Sequence, residues 1–455
     1  MITYIITDNI VFSYWKAFMK KTSISVLLLF SSALSAQNLL ETYELALQND
    51  PVLRSSLANK MAIGESKDQS IARLLPTVSA GASTGYNWSY QDSLFNTEFP
   101  GQTKRNDYWD SQFGINLVQP VFHYDMWVQL SQSEKQIASA DASYLAEQQN
   151  LMLKTTNAYF SVLAAQDDLT FALAEQKTIA RQLEQAQQRF EVGLIAITDV
   201  YEAQAGYDQS RSDVIAAEND VESAKEALKE IIGPYSSELN ILGETLPLPK
   251  PAPNDIDEWN LQALNQNLQI LVARSESDII QDNIDLQRSG HYPTLDIVGG
   301  FGLNDTTGNL HATGNAENIG LQLNIPLFEG GAVNSRTREA EYQFAEAQEN
   351  LIATQRAVTR EVKDSYRGVI SAISQVGALK SAVKSGKSSL EATEAGFDVG
   401  TRTMVDVLST TRNYTDAQSK YAKSRYAYLI NGVRLKNATS SLSIADLEAI
   451  NRYLK

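Results

Sequence analysis

Two aspartates recur at matching points of this 455-residue sequence: Asp199 in Ala196-Ile197-Thr198-Asp199-Val200 and Asp406 in Thr403-Met404-Val405-Asp406-Val407. Each stands six residues after a glycine, Gly193 or Gly400, where a turn gives way to a new helix. A carboxylate there can close a helix's open N–H groups, as Asp406 would with Thr403 in a capping box that uses Asp in place of the usual Glu. It can also pair with a cation one turn away, as Arg402 stands from Asp406. On spacing alone these structural roles are the stronger reading.

Other chemistry is scarce. The sequence has no cysteine and three histidines, His123, His291 and His311, the first far from the other two. That leaves no thiol nucleophile, no disulfide framework and no histidine or thiolate metal cluster. Phosphate loops, dinucleotide turns and histidine–nucleophile pairs are likewise missing from the motifs, so neither an enzyme nor a cofactor or metal is expected. The net charge of −16 argues against nucleic acid, which needs a basic face, and suits a water-filled conduit that favours cations.

The elements that position the aspartates start with a targeting segment over residues 1–36. Met19-Lys20-Lys21 precedes an apolar stretch, Ile24 to Phe30, and the small-residue run Ala33-Leu34-Ser35-Ala36, the layout of a secretory signal with translation starting at Met1 or Met19. Three Lys and one Asp leave with it, taking the net charge to −18. After Ala36 no apolar run is long enough for a spanning helix of ~20 residues, so any membrane crossing falls to β-strands.

The chain repeats itself. Val192-Gly193-Leu194 through Asp199-Val200 returns at an offset of 207 as Val399-Gly400-Thr401 through Asp406-Val407, and Pro120-Val121-Phe122 returns as Pro326-Leu327-Phe328. The first repeat spans 37–245, with strands 76–90 and 111–122 and long helices 126–191 and 198–231. A proline run makes the stiff linker 246–258. The second repeat spans 259–440, with strands 293–303 and 319–328 and helices 332–398 and 403–438. A C-terminal segment, 441–455, follows.

The strands alternate as membrane strands do. Val78, Ala80, Ala82, Thr84, Tyr86, Trp88 and Tyr90 share one face against small and polar residues on the other, and Tyr86, Trp88, Tyr90, Tyr108 and Trp109 suit an interfacial girdle. Four strands cannot close a barrel that needs ~8, and open edges in lipid leave backbone groups unpaired, so several chains must share one barrel. Two chains would give eight strands and three would give twelve. In the helices, Val362, Val369, Val376, Val383 and Leu390 recur at sevens, and Tyr159, Val162, Leu169, Leu173 and Leu183 approximate the same stripe. A porin would carry a whole barrel in one chain, and a periplasmic coiled-coil adaptor would have no use for aromatic-flanked strands.

The segments Arg189 to Val200 and Glu394 to Leu408, with Gly290-His291-Tyr292-Pro293-Thr294-Leu295-Asp296 and Tyr428-Leu429-Ile430-Asn431, resemble the TolC family over about Gln37 to Asn451. The resemblance implies a mainly α protein with membrane β: a homotrimer with a twelve-stranded barrel in outer-membrane lipid, continued by a long α-helical coiled-coil barrel across the periplasm. It implies export of small molecules or proteins in tripartite efflux and type I secretion, with a periplasmic adaptor and an inner-membrane pump of RND, ABC or MFS type as partners. The entrance would be closed by coiled helices that open like an iris. Residues matching the closing network are Gln182, Thr198, Asp199, Glu394 and Arg402, with Asp406 in an entrance ring of aspartates. The tips Gly193, Leu194, Gly400 and Thr401 match the adaptor contacts. Two positions depart: Ser409 falls at a second aspartate ring, and Phe397 replaces the network tyrosine. These changes predict weaker cation selectivity and a looser closed state, for which Asp398 could compensate.

Overall fold

The protein, a computed structural model, is described over residues 37–92, 103–235, 238–308 and 311–455. The signal segment expected over residues 1–36 lies outside the described residues.

Each half begins with two short helices, α1 (Leu39–Asn49) and α2 (Pro51–Leu74) in the first, α5 (Ile256–Gln266) and α6 (Leu268–Arg288) in the second. Side-chain caps set their starts. Asn38 and Glu41 form a capping box, Asp50 accepts from the Leu53 N–H with Pro51 at the first helical position, and Asn267 accepts from Gln269 and Ile270. Asp255 caps α5, so the helix starts within the stretch expected to be linker up to 258.

Next comes a pair of strands in each half: β1 (Thr77–Asp92) and β2 (Thr103–Phe122), then β3 (Thr294–Gly308) and β4 (Ala312–Asn324). They form one antiparallel sheet in the order β1-β2-β3-β4, leaving β1 and β4 as edges. The strands extend further outward than the alternation indicated: β2 starts at Thr103, not 111, and β4 at Ala312, not 319. The outer part of a ladder can stand in water and needs no apolar face. At the inner end β4 stops at Asn324, ahead of Pro326, which has no N–H to give. For the same reason the register shifts between Pro120 and Phe122. Tyr86 opposes Trp109, with ring centres 5.3 Å apart, and Trp88 lies beside Tyr86, so one face carries the aromatics. Tyr108 opposes Asn87 on the other face, contrary to the expected girdle.

The long helices follow: α3 (Tyr124–Glu191) and α4 (Ile197–Ile232), then α7 (Ala332–Asp398) and α8 (Met404–Ala438). At ~1.5 Å per residue, the 68 residues of α3 extend about 100 Å. The helices join side by side, α4 on α3, α3 on α8 and α8 on α7, while α6 lies against both α3 and α7. Val362, Val369 and Val376 are buried as the sevenfold spacing requires, whereas Leu173 of the looser stripe is exposed.

The main core sits midway along the molecule. Leu39, Tyr43, Tyr159, Phe160, Leu228, Ile232, Tyr426 and Leu447 bring α1, α3, α4, α8 and the last helix α9 (Ile444–Asn451) together. Across it the chain crosses itself in two short bridges, Gln37 with Leu239 and Leu242 with Leu454. The proline run is pinned there: Trp259 Nε1 donates to the Pro253 carbonyl at 2.8 Å and the Tyr428 hydroxyl to that of Pro249 at 2.9 Å. That anchored middle leaves the far ends of α3, α4, α7 and α8 as a free-standing group of tips.

Candidate functional site

Both tips turn in the same way. Gly193 (φ +73°) donates to the Phe190 carbonyl and Leu194 to that of Arg189, both at 2.8 Å. Gly400 (φ +76°) donates to Phe397 at 3.1 Å and Thr401 to Gly396 at 2.8 Å. This double closure satisfies the last carbonyls of a helix and needs a left-handed residue, which glycine supplies without strain. The turns leave Val192, Leu194 and Val399 in solvent, each at least 70% exposed.

The helices that leave the turns are capped differently. At α8 the Thr403 N–H donates to Asp406 Oδ2 at 2.9 Å, and the Asp406 N–H donates to Thr403 Oγ1 at 3.2 Å. The bond from the Thr403 backbone, then that from its hydroxyl, holds the Asp406 carboxyl below the usual carboxylate range, and Arg402 adds a smaller attraction. A lowered carboxylate stabilises the fold above its ordinary pKa and loses that contribution as pH falls through the lowered value. At α4 the matching cap is Ala196, which has no side-chain acceptor, so Asp199 stands in the first turn without a box. Ala196→Thr should complete the missing cap and slow amide exchange at the start of α4 by roughly fivefold, while Thr403→Ala should speed it at the start of α8 by the same factor. Deuterium uptake over the two tips checks both, and equal protection before and after would contradict the assignment.

The two hairpins are tied together near the tips. Gln182 Nε2 approaches Glu394 Oε1 at 3.5 Å, and Gln182 Oε1 is buried without a partner. Arg189 reaches from α3 to α7: its Nη2 is 2.7 Å from Asp398 Oδ1, and its guanidinium lies over the Phe397 ring, 5.1 Å from the centre. Phe397 packs on a small core of Leu183, Ala186, Ala203 and Met404, with Leu408 alongside. Glycine makes this possible at Gly206, where a Cβ would stand 3.1 Å from both Leu408 methyls. At Gly396 a Cβ would come within 2.8 Å of Arg402 Cγ, so the arginine stem lies flat on that turn.

Of the residues singled out in the sequence, Gln182 and Glu394 meet, and Phe397 joins the tip core. Thr198, Arg402 and Ser409 are exposed. The Arg402–Asp406 ion pair does not form, because Asp406 is turned to the Thr403 cap. Among the described residues the Arg402 guanidinium and the Asp199 carboxylate have no ion-pair partner. Nothing in the sequence gives Arg189 a role, because its link to Asp398 crosses 209 positions with no periodic signal to announce it.

Higher up, α3 and α8 share a polar seam. The Tyr426 hydroxyl donates to Asp167 at 2.6 Å, while Lys423 and the Ser419 hydroxyl hold Asp168, each at 2.6 Å. Burial raises the Asp167 and Glu175 carboxyls, so their contribution runs opposite to that of Asp406 and grows as pH falls through the raised values. No helix among the described residues is long and apolar enough to cross a membrane.

Known proteins share this arrangement. The outer membrane efflux protein family model matches residues 42–234 and 259–441, on either side of the proline run. The outer membrane protein TolC of Vibrio cholerae is 40% identical over 93% of this chain and 95% of its own length, and that of Escherichia coli is 36% identical over 93% and 86%. The crystal structure of the Campylobacter jejuni CmeC outer membrane channel superposes with a TM-score of 0.75 at 17% identity, covering 93% of this chain and 91% of that one. Four antiparallel strands, two matched repeats and long paired helices with glycine-capped tips place the chain in the outer membrane efflux protein family, as a non-enzymatic outer-membrane channel of the TolC type that extends into the periplasm.

Proposed function

We propose that three copies of this chain close a twelve-stranded barrel and a helical tunnel through which small molecules or proteins leave the cell, gated at the helix tips. The observation that carries this reading is the sheet itself. β1 and β4 are open edges, and Ile319, Leu321 and Leu323 on β4 are 60–84% exposed, which fits a wall completed by further copies and lipid. The unpaired Arg402 and Asp199 suit a bond to a neighbouring copy across the entrance, with Gln182, Glu394, Thr198 and Phe397 around it. The exposed tips Gly193-Leu194 and Gly400-Thr401 suit a helical adaptor, which would bring the inner-membrane pump of RND, ABC or MFS type. Energy for transport comes from that pump.

Detergent-extracted protein is expected to run as a trimer without heating and as a single chain after boiling, and deletion to raise drug sensitivity or empty the secretome. A soluble monomer would end the proposal. For the gate, Asp406 forms the entrance ring and Ser409 leaves a second ring without charge. Ser409→Asp adds three carboxylates per trimer around one axis, so cation selectivity and block by multivalent cations should both increase. Reversal potential in a salt gradient reads this directly, and an unchanged value would refute it.

A further inference from the structure

Along the tunnel the long helices of one chain stand in the order α4, α3, α8, α7, so α4 and α7 are its two flanks, each with an uncovered side. Their charges are opposed. α4 carries nine carboxylates and three cations, whereas α7 over 356–387 carries seven cations and two carboxylates, so two α4 flanks would repel while α4 and α7 attract. The charges also stand level. Lys380 and Lys384 lie 20 and 16 residues before Gly400, and Asp213 and Asp208 lie 20 and 15 residues after Gly193. At ~1.5 Å per residue both pairs sit about 30 and 23 Å above the tips. All four side chains are exposed. Among the described residues neither lysine has a carboxylate partner. The aspartates are met by amides of their own helix, Asp213 by Gln209 at 2.8 Å and Asp208 by Gln204 at 3.1 Å.

We propose that the occupant of each uncovered flank is a second copy of this chain, with Lys380 and Lys384 of α7 set against Asp213 and Asp208 of the next copy's α4, and that this match fixes the vertical register of the tunnel wall. The inference rests on the head-to-tail trimer proposed above and adds which charges set its seam. Opposite flanks joined head to tail generate a closed ring, and like flanks are excluded by repulsion. The register holds the tips at one height, so their closing contacts can form together. A shift by one turn, ~5.4 Å, would bring one lysine to the wrong aspartate, carry the other past the pair and misalign the entrance.

The absence of native cysteine makes the test direct. In the full-length protein, Lys380→Cys with Asp213→Cys should give covalently joined dimers and trimers on a non-reducing gel after mild oxidation. Lys380→Cys with Glu230→Cys, displaced by ~25 Å along α4, should not. Separately, Lys380→Glu with Lys384→Glu should raise the open fraction in single-channel records by roughly tenfold, as the pairs of every seam turn repulsive together. Adding Asp208→Lys and Asp213→Lys should bring it back. A heat-modifiable trimer with no cross-link, with equal cross-linking at Glu230, with linkage only to a co-expressed adaptor, or with no rescue by the reciprocal reversal would overturn the seam and leave the trimer standing. A chain that never forms the trimer would instead overturn the proposed function, and the seam with it.

Discussion

Arg189→Ala is expected to leave the trimer assembled but to raise the open fraction of the channel roughly tenfold per protomer. Two contacts disappear with the guanidinium. The pair to Asp398 is partly exposed and worth about 0.2–1 kcal/mol, and the face-on contact with Phe397 adds about 0.5–1 kcal/mol. Both tie α3 of the first hairpin to α7 of the second, so their loss falls on the closed state, where the hairpins lie together. Arg189→Lys keeps the charge but loses the planar group that lies on the ring, and should fall between Ala and the parent. Crossing Arg189→Ala with Asp398→Ala and with Phe397→Ala separates the ionic part from the aromatic part. Should Arg189→Ala gate like the parent, the hairpins are held by the Leu183–Met404 core alone, and the arginine is a surface residue.

The same contact explains what the sequence could and could not disclose. Asp398 was expected as a compensation for the lost tyrosine hydroxyl at Phe397; in the structure its carboxylate meets Arg189 of the other hairpin. The partner was not foreseeable, because 209 positions separate Arg189 from Asp398 and only the folded hairpin pair brings them together. Capping was more legible, since Thr403 and Asp406 are three apart and their bonds are local. That same locality removed the Arg402–Asp406 pair: both readings used one carboxylate, and the backbone N–H and hydroxyl of Thr403 won it.

At the scale of the fold, periodicity and proline carried the signal. Long proline-free stretches stand as α3 and α7, and alternation marked the strand segments where one face is apolar. Alternation is a consequence of having two different environments, so it fades where both faces meet water. That is why the outer parts of β2 and β4, from Thr103 and Ala312, could not be read. The acidic seam of Asp167, Asp168 and Glu175 was missed for a related reason. Helical spacing says which residues share a face, but not which face is covered by another helix.

Tyr159 should be the most costly position of the folded middle. Its side chain is fully buried, its hydroxyl donates to the Asn240 carbonyl at 2.8 Å, and the Gln37 carbonyl lies 3.1 Å away, so one side chain holds both strands of the bridge between residues 37 and 239. Burial raises its pKa far above an ordinary phenol, keeping the donor protonated at any working pH. The ring meets Phe160 edge-on at 5.6 Å, and Phe160 stacks on Tyr426 at 5.5 Å, which in turn donates to Asp167. Tyr159→Phe keeps the packing but takes the donor from the half-buried Asn240 carbonyl, at about 1 kcal/mol. Tyr159→Ala empties the site, at about 3–5 kcal/mol, and should also release α1, whose Leu39 and Tyr43 share that core. Loss of helical circular dichroism on heating, with proteolysis ahead of α1, separates the two variants. If Tyr159→Phe melts with the parent while Tyr159→Ala does not, water takes over the carbonyls and packing alone fastens the N-terminal helix to the tunnel. If both melt early and to the same degree, the hydroxyl is the fastening, and the ring contributes through where it puts that one oxygen.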